Sequence, residues 1–186
     1  MDKETKNKKN SLILWFKEIT IEDTPLVGGK NSSLGEMYRE LVRKGVNIPN
    51  GFAITAAAYW LFVKEAGIEK EVKKILSRLN AKDIEKVSDA GLRIRELIKG
   101  AEFPQKLKKE IAEAYAKMCK EYGSHVDVAV RSSATGEDLP DASFAGQQES
   151  YLNKRGESSL LEACKKCFSS LFTNRAIVYR HEKGFD

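Results

Sequence analysis

Two short segments hold the residues best suited to binding an anion. Gly28-Gly29-Lys30-Asn31 precede a run in which Leu34, Met37, Leu41 and Val42 recur at helical spacing. Two glycines ahead of a helix let the backbone come close to an anion. The first helical N–H groups and the positive end of the helix dipole then point at it. Lys30 adds a mobile cation with three donors, a good match for phosphate. The pattern is not the G-x-x-x-x-G-K-[ST] loop, and taken alone it equally describes a glycine turn followed by an exposed lysine. The second segment is Val130-Arg131-Ser132-Ser133-Ala134-Thr135-Gly136-Glu137-Asp138. It sets an arginine at the end of an apolar strand, where sheets commonly hold ligands, and a guanidinium makes forked contacts with phosphate oxygens. The Ser and Thr hydroxyls with nearby N–H groups can form an anion nest. The competing reading is a polar surface loop whose Arg131 pairs with Glu137 or Asp138.

Other chemistries find less support. Glu137, Asp138 and Asp141 are residue types that hold Mg²⁺ together with substrate phosphates, but acids in a polar loop are expected to be solvated, and no metal ligand is assigned. Cys164-Lys165-Lys166-Cys167 has the C-x-x-C spacing of half a zinc site. A structural zinc needs four ligands, Cys119 is distant, and His125 and His181 stand in no metal-ligand spacing. Both cysteines lie on an apolar helix face, where a thiol packs as a small hydrophobe. Neither histidine has an evident orienting partner, so no nucleophilic triad is assembled and no catalytic residue is named.

The elements that must position these segments follow from periodicity. Ser11–Thr20 is an apolar, aromatic run expected to form a first strand. Gly45 stands where a helix C-cap belongs, and Pro49 holds Ile48 extended. Thr55 is placed to cap a helix through Val63 that closes at Gly67. Ile68–Leu79 is amphipathic, Ile84, Val87, Gly91, Ile94 and Ile98 form one helical stripe, and Pro104 opens a further helix with Leu107, Ile111, Ala114 and Met118 on one side. Val126, Val128 and Val130 then alternate as in a strand. Arg131–Ala145 is a fifteen-residue polar stretch, longer than ordinary connections and of the kind that is functional or disordered. Gly146–Asn153 reads as a strand leaving it. Ser158 is placed to cap a last helix bearing Leu160, Leu161, Cys164, Cys167, Phe168, Leu171 and Phe172. The order predicts a mixed α/β or α+β domain over 11–186, preceded by a disordered basic tail over 1–10.

Composition excludes several classes. The 186 residues are 41% hydrophobic and 32% charged, ordinary for a globular domain. The net charge of +5 is not concentrated: outside Lys3, Lys6, Lys8 and Lys9, cations interleave with acids, as in EIAEAYAKMCKEY. A nucleic-acid footprint would gather them on one stripe. No run approaches the roughly 20 apolar residues that span a bilayer, and Met1–Asn10 has no apolar secretion core. The expected location is the cytoplasm, with reduced thiols and neither nucleic acid nor membrane as a partner.

Two stretches carry a family resemblance. Val27–Met37 (VGGKNSSLGEM) followed by IPNGFAITAAAY, and Ala129–Asn153 (AVRSSATGEDLPDASFAGQQESYLN) with SSLFTNRAIVYR, resemble the opening of phosphoenolpyruvate synthases, of the pyruvate phosphate dikinase and PEP-utilising enzyme family. The resemblance runs from about Trp15 onward, and its long loop motif is shared mainly with the related rifamycin phosphotransferases. It implies the first lobe of an ATP-grasp-like nucleotide-binding domain in an enzyme that converts ATP, pyruvate and water into phosphoenolpyruvate, AMP and phosphate. It implies ATP contacts at Lys30, Arg131, Gly146 and Ser150, where Ser150 stands in place of a usual Thr and Gly136 in place of a usual Ala. It places the Mg²⁺ ligands, the other lobe, a phosphohistidine domain and a pyruvate-binding barrel outside these residues. The chain alone is therefore expected to bind ATP weakly or not at all, and not to catalyse. The alternatives are the front lobe of a rifamycin phosphotransferase, or a non-catalytic stand-alone binding module.

Overall fold

The computed structural model describes residues 3–135, 138–139, 142–143 and 149–184. In chain order they form α1 (Lys3–Asn10), β1 (Ile13–Trp15), α2 (Thr24–Val27), α3 (Gly29–Val42), β2 (Phe52–Ile54), α4 (Ala56–Glu65), α5 (Glu69–Ser77), α6 (Ile84–Gly100), α7 (Gln105–Tyr122), β3 (Val128–Arg131), β4 (Asp138–Leu139), β5 (Ala142–Ser143), β6 (Ser150–Lys154), α8 (Glu157–Ser170) and α9 (Asn174–Lys183). Among the described residues the ladders are β1–β2, β3–β6 and β4–β5, each antiparallel. The mixed class therefore takes its α+β form. The chain divides into two compact units: Met1–Leu61 with Gln105–Ser124 and Ser133–Ser143, and Phe62–Pro104 with His125–Ser132 and Phe144–Asp186.

The first unit is built on a short ladder. Leu14 pairs with Ala53, and both are buried with Ile19 and Val27 in one cluster. Trp15 pairs with Phe52, ring against ring at 5.6 Å, and the Lys117 ammonium of α7 sits 4.7 Å from the Trp15 ring. Such a contact suits the ring quadrupole. The strand expected over Ser11–Thr20 stops at Trp15, because the Glu18 carboxylate accepts from Trp15 N at 2.9 Å and folds Phe16–Glu18 into a 3-10 turn.

A second 3-10 turn, Ile21–Asp23, is held the same way: the Asp23 carboxylate accepts from Thr20 N at 2.8 Å and from Lys8 Nζ at 2.8 Å. Burial works against this carboxylate, but Lys8 and Thr20 outweigh it and hold its pKa below the usual value. The described part of the segment expected as a basic tail, residues 3–10, carries this contact on a helix, Lys3–Asn10, where Lys8 is tied to a buried acid.

Helix α3 does not bury the stripe that its periodicity suggests. Met37 is 48% and Val42 40% exposed, while Gly29, Ser32 and Gly35 are buried. A Cβ at Gly35 would lie 2.7 Å from Ile19 Cβ. The helix thus meets the turn through its small residues, at a distance that no larger side chain permits.

The second unit packs around α6, whose Val87, Ala90, Gly91, Ile94 and Ile98 are buried as the stripe predicts, with Ile84 left exposed at its start. Helices α8 and α9 pack on it, and Arg95 donates to the Phe172 carbonyl. Phe62, Phe103 and Phe168 form one aromatic group, with centroids 5.2–6.1 Å apart. Cys164 and Cys167 are buried free thiols on α8; burial pushes both up, Cys167 to about 12. They are packing groups, not nucleophiles. One helix start differs from expectation. Gly156, not Ser158, precedes α8 as its cap; α9, which carries His181, is capped by Thr173 Oγ1 accepting from Ala176 N at 3.3 Å.

Replacing Asp23 by Ala should lower stability at neutral pH by about 2 kcal/mol, as charge-assisted hydrogen bonds are lost. Its folded pKa is depressed, so the contribution is full above the ordinary value of 3.8 and fades as pH falls through the lower folded value. Urea unfolding of both proteins across pH 2–7 should show the gap between them closing only at the acid end. A gap independent of pH would contradict this.

Candidate functional site

Within the first unit, the start of α3 meets the segment after Arg131. Gly28 has φ +80°, a conformation that L side chains rarely adopt. A Cβ there would stand 2.3 Å from Ser133 Oγ and 2.6 Å from the Ser133 carbonyl. Gly29 N donates to the Ala134 carbonyl at 3.4 Å, and Asn31 N donates to Ser133 Oγ at 3.3 Å. Asn31 Nδ2 closes the preceding turn on the Val27 carbonyl at 2.8 Å, and Ser32 Oγ donates to the Gly29 carbonyl at 2.9 Å. The two motifs singled out from sequence, over a hundred residues apart, are thus one contact.

This contact changes what the glycines do. Two of the first helical N–H groups, expected to face an anion, are occupied by Ser133 and Ala134. The glycines admit a neighbouring backbone, and Lys30, half-buried in the first turn of α3, is the cation at that end.

In the second unit, Arg131 ends β3 directly opposite Ser150 of β6. Directly paired residues project from the same face of a ladder. Both are exposed, while Val128, Val130 and Tyr151 turn to the half-buried side. That side faces α8: Lys166 Nζ lies 6.0 Å from the Tyr151 ring, and the Tyr151 hydroxyl bonds the Glu149 carboxylate. Burial, with Glu149 beside it, pushes the Tyr151 hydroxyl well above its ordinary pKa, so it stays protonated as a donor. Ser132, buried, gives N–H and hydroxyl to the Glu149 carbonyl at 3.3 Å each. Of the hydroxyls expected to nest an anion, Ser132 is therefore committed to the ladder and Ser133 to α3. At the other end Arg155 forks onto Asp127 at 2.9 and 2.6 Å and holds that carboxyl below its usual range.

The structure thus joins Arg131 with Ser150, and the Lys30 loop with Ser133. Gly146, with Gly136, Glu137 and Asp141, lies outside the described residues. Asn153, with φ +54°, and the Arg155–Asp127 fork were not singled out from sequence. A polar residue in an apolar-alternating strand was the one available signal. Among the described residues no three His, Cys, Asp or Glu gather as a metal site, and no helix is long and apolar enough to cross a membrane.

Residues 24–186 match the family described as pyruvate phosphate dikinase, AMP/ATP-binding domain, and the chain belongs to that family. Its relatives include the phosphoenolpyruvate synthase of Synechocystis sp., 55% identical over 97% of this chain and 23% of that protein. That of Aquifex aeolicus is 53% identical over 97% of this chain and 21% of its own length. That of Escherichia coli is 43% identical over 97% and 23%. The chain spans only 21–23% of the length of these three relatives.

Gly28→Ala should destabilise the protein by about 2 kcal/mol, combining overpacking against Ser133 with a left-handed backbone. Gly45→Ala, also at positive φ but with nothing within 4 Å, should cost less, as backbone strain alone. Equal losses in thermal unfolding would mean that the Ser133 contact has no part in the effect.

Proposed function

We propose that the chain supplies the ATP-phosphate contacts of a phosphoenolpyruvate synthase, as one lobe of an ATP-grasp-like domain in the cytoplasm. What carries this reading is the Arg131–Ser150 pairing on an exposed ladder face, in a chain of the AMP/ATP-binding family. A guanidinium beside a hydroxyl fits polyphosphate oxygens: the first binds two of them in a fork, and the second donates a single hydrogen bond. Lys30 adds a point charge from the helix start. In this reading Gly146 gives the polyphosphate a close backbone approach.

Bound ATP would bring the phosphoryl group to be transferred. The role of this chain's residues is to hold and neutralise its phosphate oxygens, which is most of what a protein contributes to such transfers. Mg²⁺ is part of the reading, with its ligands contributed from outside this chain. The acceptor chemistry, a phosphohistidine carrier and a pyruvate-binding barrel belong in this proposal to other polypeptide, in keeping with the 21–23% share that the chain has of its relatives. The names of those relatives favour pyruvate over an antibiotic as the eventual acceptor.

Titration of the chain with Mg·ATP and with tripolyphosphate, followed by amide NMR shifts, should show weak saturable binding centred on residues 28–31, 130–133 and 150. Lys30→Met and Arg131→Met should each weaken it about tenfold, the worth of one charge-assisted phosphate contact. Ser150→Ala should weaken it about threefold. Binding that is unchanged in Arg131→Met would remove the assignment.

A further inference from the structure

The β3–β6 ladder is not in uniform register. Val128 pairs with Lys154, but Val130 pairs with Tyr151 and Arg131 with Ser150. One residue of β3, Ala129, is therefore opposed by two of β6, Leu152 and Asn153. This is a β-bulge, a device that re-aims side chains beside functional sites. The extra residue is accommodated at Asn153, whose φ is +54°. Asn visits this left-handed region far more readily than other residues with a Cβ, and β-branched residues are outliers there.

The consequence for Ser150 follows from the period of two. Were the Val128–Lys154 register continued without the bulge, Arg131 would stand opposite Tyr151. A slip of one residue moves every side chain of a strand to the other face. The Tyr151 ring would then share the exposed face with Arg131. The Ser150 hydroxyl would turn to the α8 side, where Tyr151 now meets Lys166 and Glu149. The bulge also sets the spacing. Ser132 N donates to the Glu149 carbonyl, so Arg131 and Ser150, one residue along, form the closer, non-hydrogen-bonded kind of pair.

We propose that Asn153 is a positioning residue: its left-handed backbone fixes the bulge that puts the Ser150 hydroxyl beside the Arg131 guanidinium. The proposal rests on the polyphosphate reading for its ligand, and on the register alone for its structural half. The two halves are tested separately, in the full chain. With Arg131→Cys and Ser150→Cys introduced, mild oxidation should join the two positions, because a non-hydrogen-bonded pair falls inside the Cα range of about 4.4–6.8 Å that a disulfide spans. Peptide mapping distinguishes this link from any made by the native Cys119, Cys164 or Cys167.

Adding Asn153→Val should cut that link about tenfold, and adding Asn153→Gly should keep it, since glycine takes the same φ without strain. In the chain that retains Arg131 and Ser150, Asn153→Val should weaken tripolyphosphate binding about fivefold, and Asn153→Gly should restore it to within about twofold. An undiminished link in Asn153→Val overturns the register role. Loss of link or binding in Asn153→Gly overturns it too, whatever becomes of the valine variant, because the side chain and not the backbone would then be at work. A lost link with binding unchanged overturns the coupling to the ligand. If Arg131→Met also binds normally, it is the polyphosphate reading that has failed.

Discussion

The approach of Gly28 to Ser133 is the constraint on which the first unit's loop geometry depends. It joins the start of α3 to the segment that follows Arg131, and it leaves no room for a side chain at position 28. Everything upstream prepares it. The Asp23 carboxylate tightens one turn, Pro25 sits at the start of α2, and Gly28 reverses the chain so that Gly29 and Asn31 can donate to Ala134 and Ser133. The hydrogen bonds are long and individually worth about 1 kcal/mol. The steric fit is the sharper requirement, since close-packed interiors tolerate an added methyl poorly.

In the second unit the corresponding constraint is the backing of β3 and β6 by α8. A two-stranded ladder is marginal alone and needs a packed face. Val128, Val130 and Tyr151 supply that face, and Leu160, Cys164 and Cys167 give α8 its buried side. The buried thiols are protonated and inert, which suits a helix whose task is to be a floor. With one face committed, the other is free to carry Arg131 and Ser150, and the alternation of the strands decides which residues reach it.

Much of this was legible in sequence wherever one side of an element is apolar. The α6 stripe, the alternation of Val126, Val128 and Val130 and the Thr55 cap each express a local rule, and Thr55 Oγ1 does accept from Ala58 N at 3.2 Å. The buried side of α3 was hidden because hydrophobic periodicity cannot see a face made of Gly29, Ser32 and Gly35, which packs by smallness. The α1 helix was hidden because its anchor, Lys8 to Asp23, is a tertiary pair in a segment whose composition reads as tail. The bulge was hidden because register is a property of two strands together. No single strand announces the residue against which it will slip. Of the candidate residues, Arg131 was singled out by its place at the end of an apolar strand and Ser150 only by family likeness, and their pairing emerged only with the ladder.

The committed N–H groups at the start of α3 bear on how such a lobe would hold phosphate. A nest of free backbone donors binds anions by many modest dipoles and needs no net charge. Here Gly29 and Asn31 are already engaged, Ser132 serves the ladder, and Ser133 serves the helix. In the proposed reading, attraction for phosphate would then rest on formal charge, as at Arg131, more than on free backbone dipoles. A guanidinium on an exposed ladder face keeps most of its hydration and is screened by salt. It gains strength when another surface excludes water around it, because charge pairs strengthen as the local dielectric falls. On the proposed reading, an exposed phosphate contact of this kind would hold ATP weakly until another surface covers it. The backbone sets the positions, the side chains carry the charge, and the exclusion of water has to come from elsewhere.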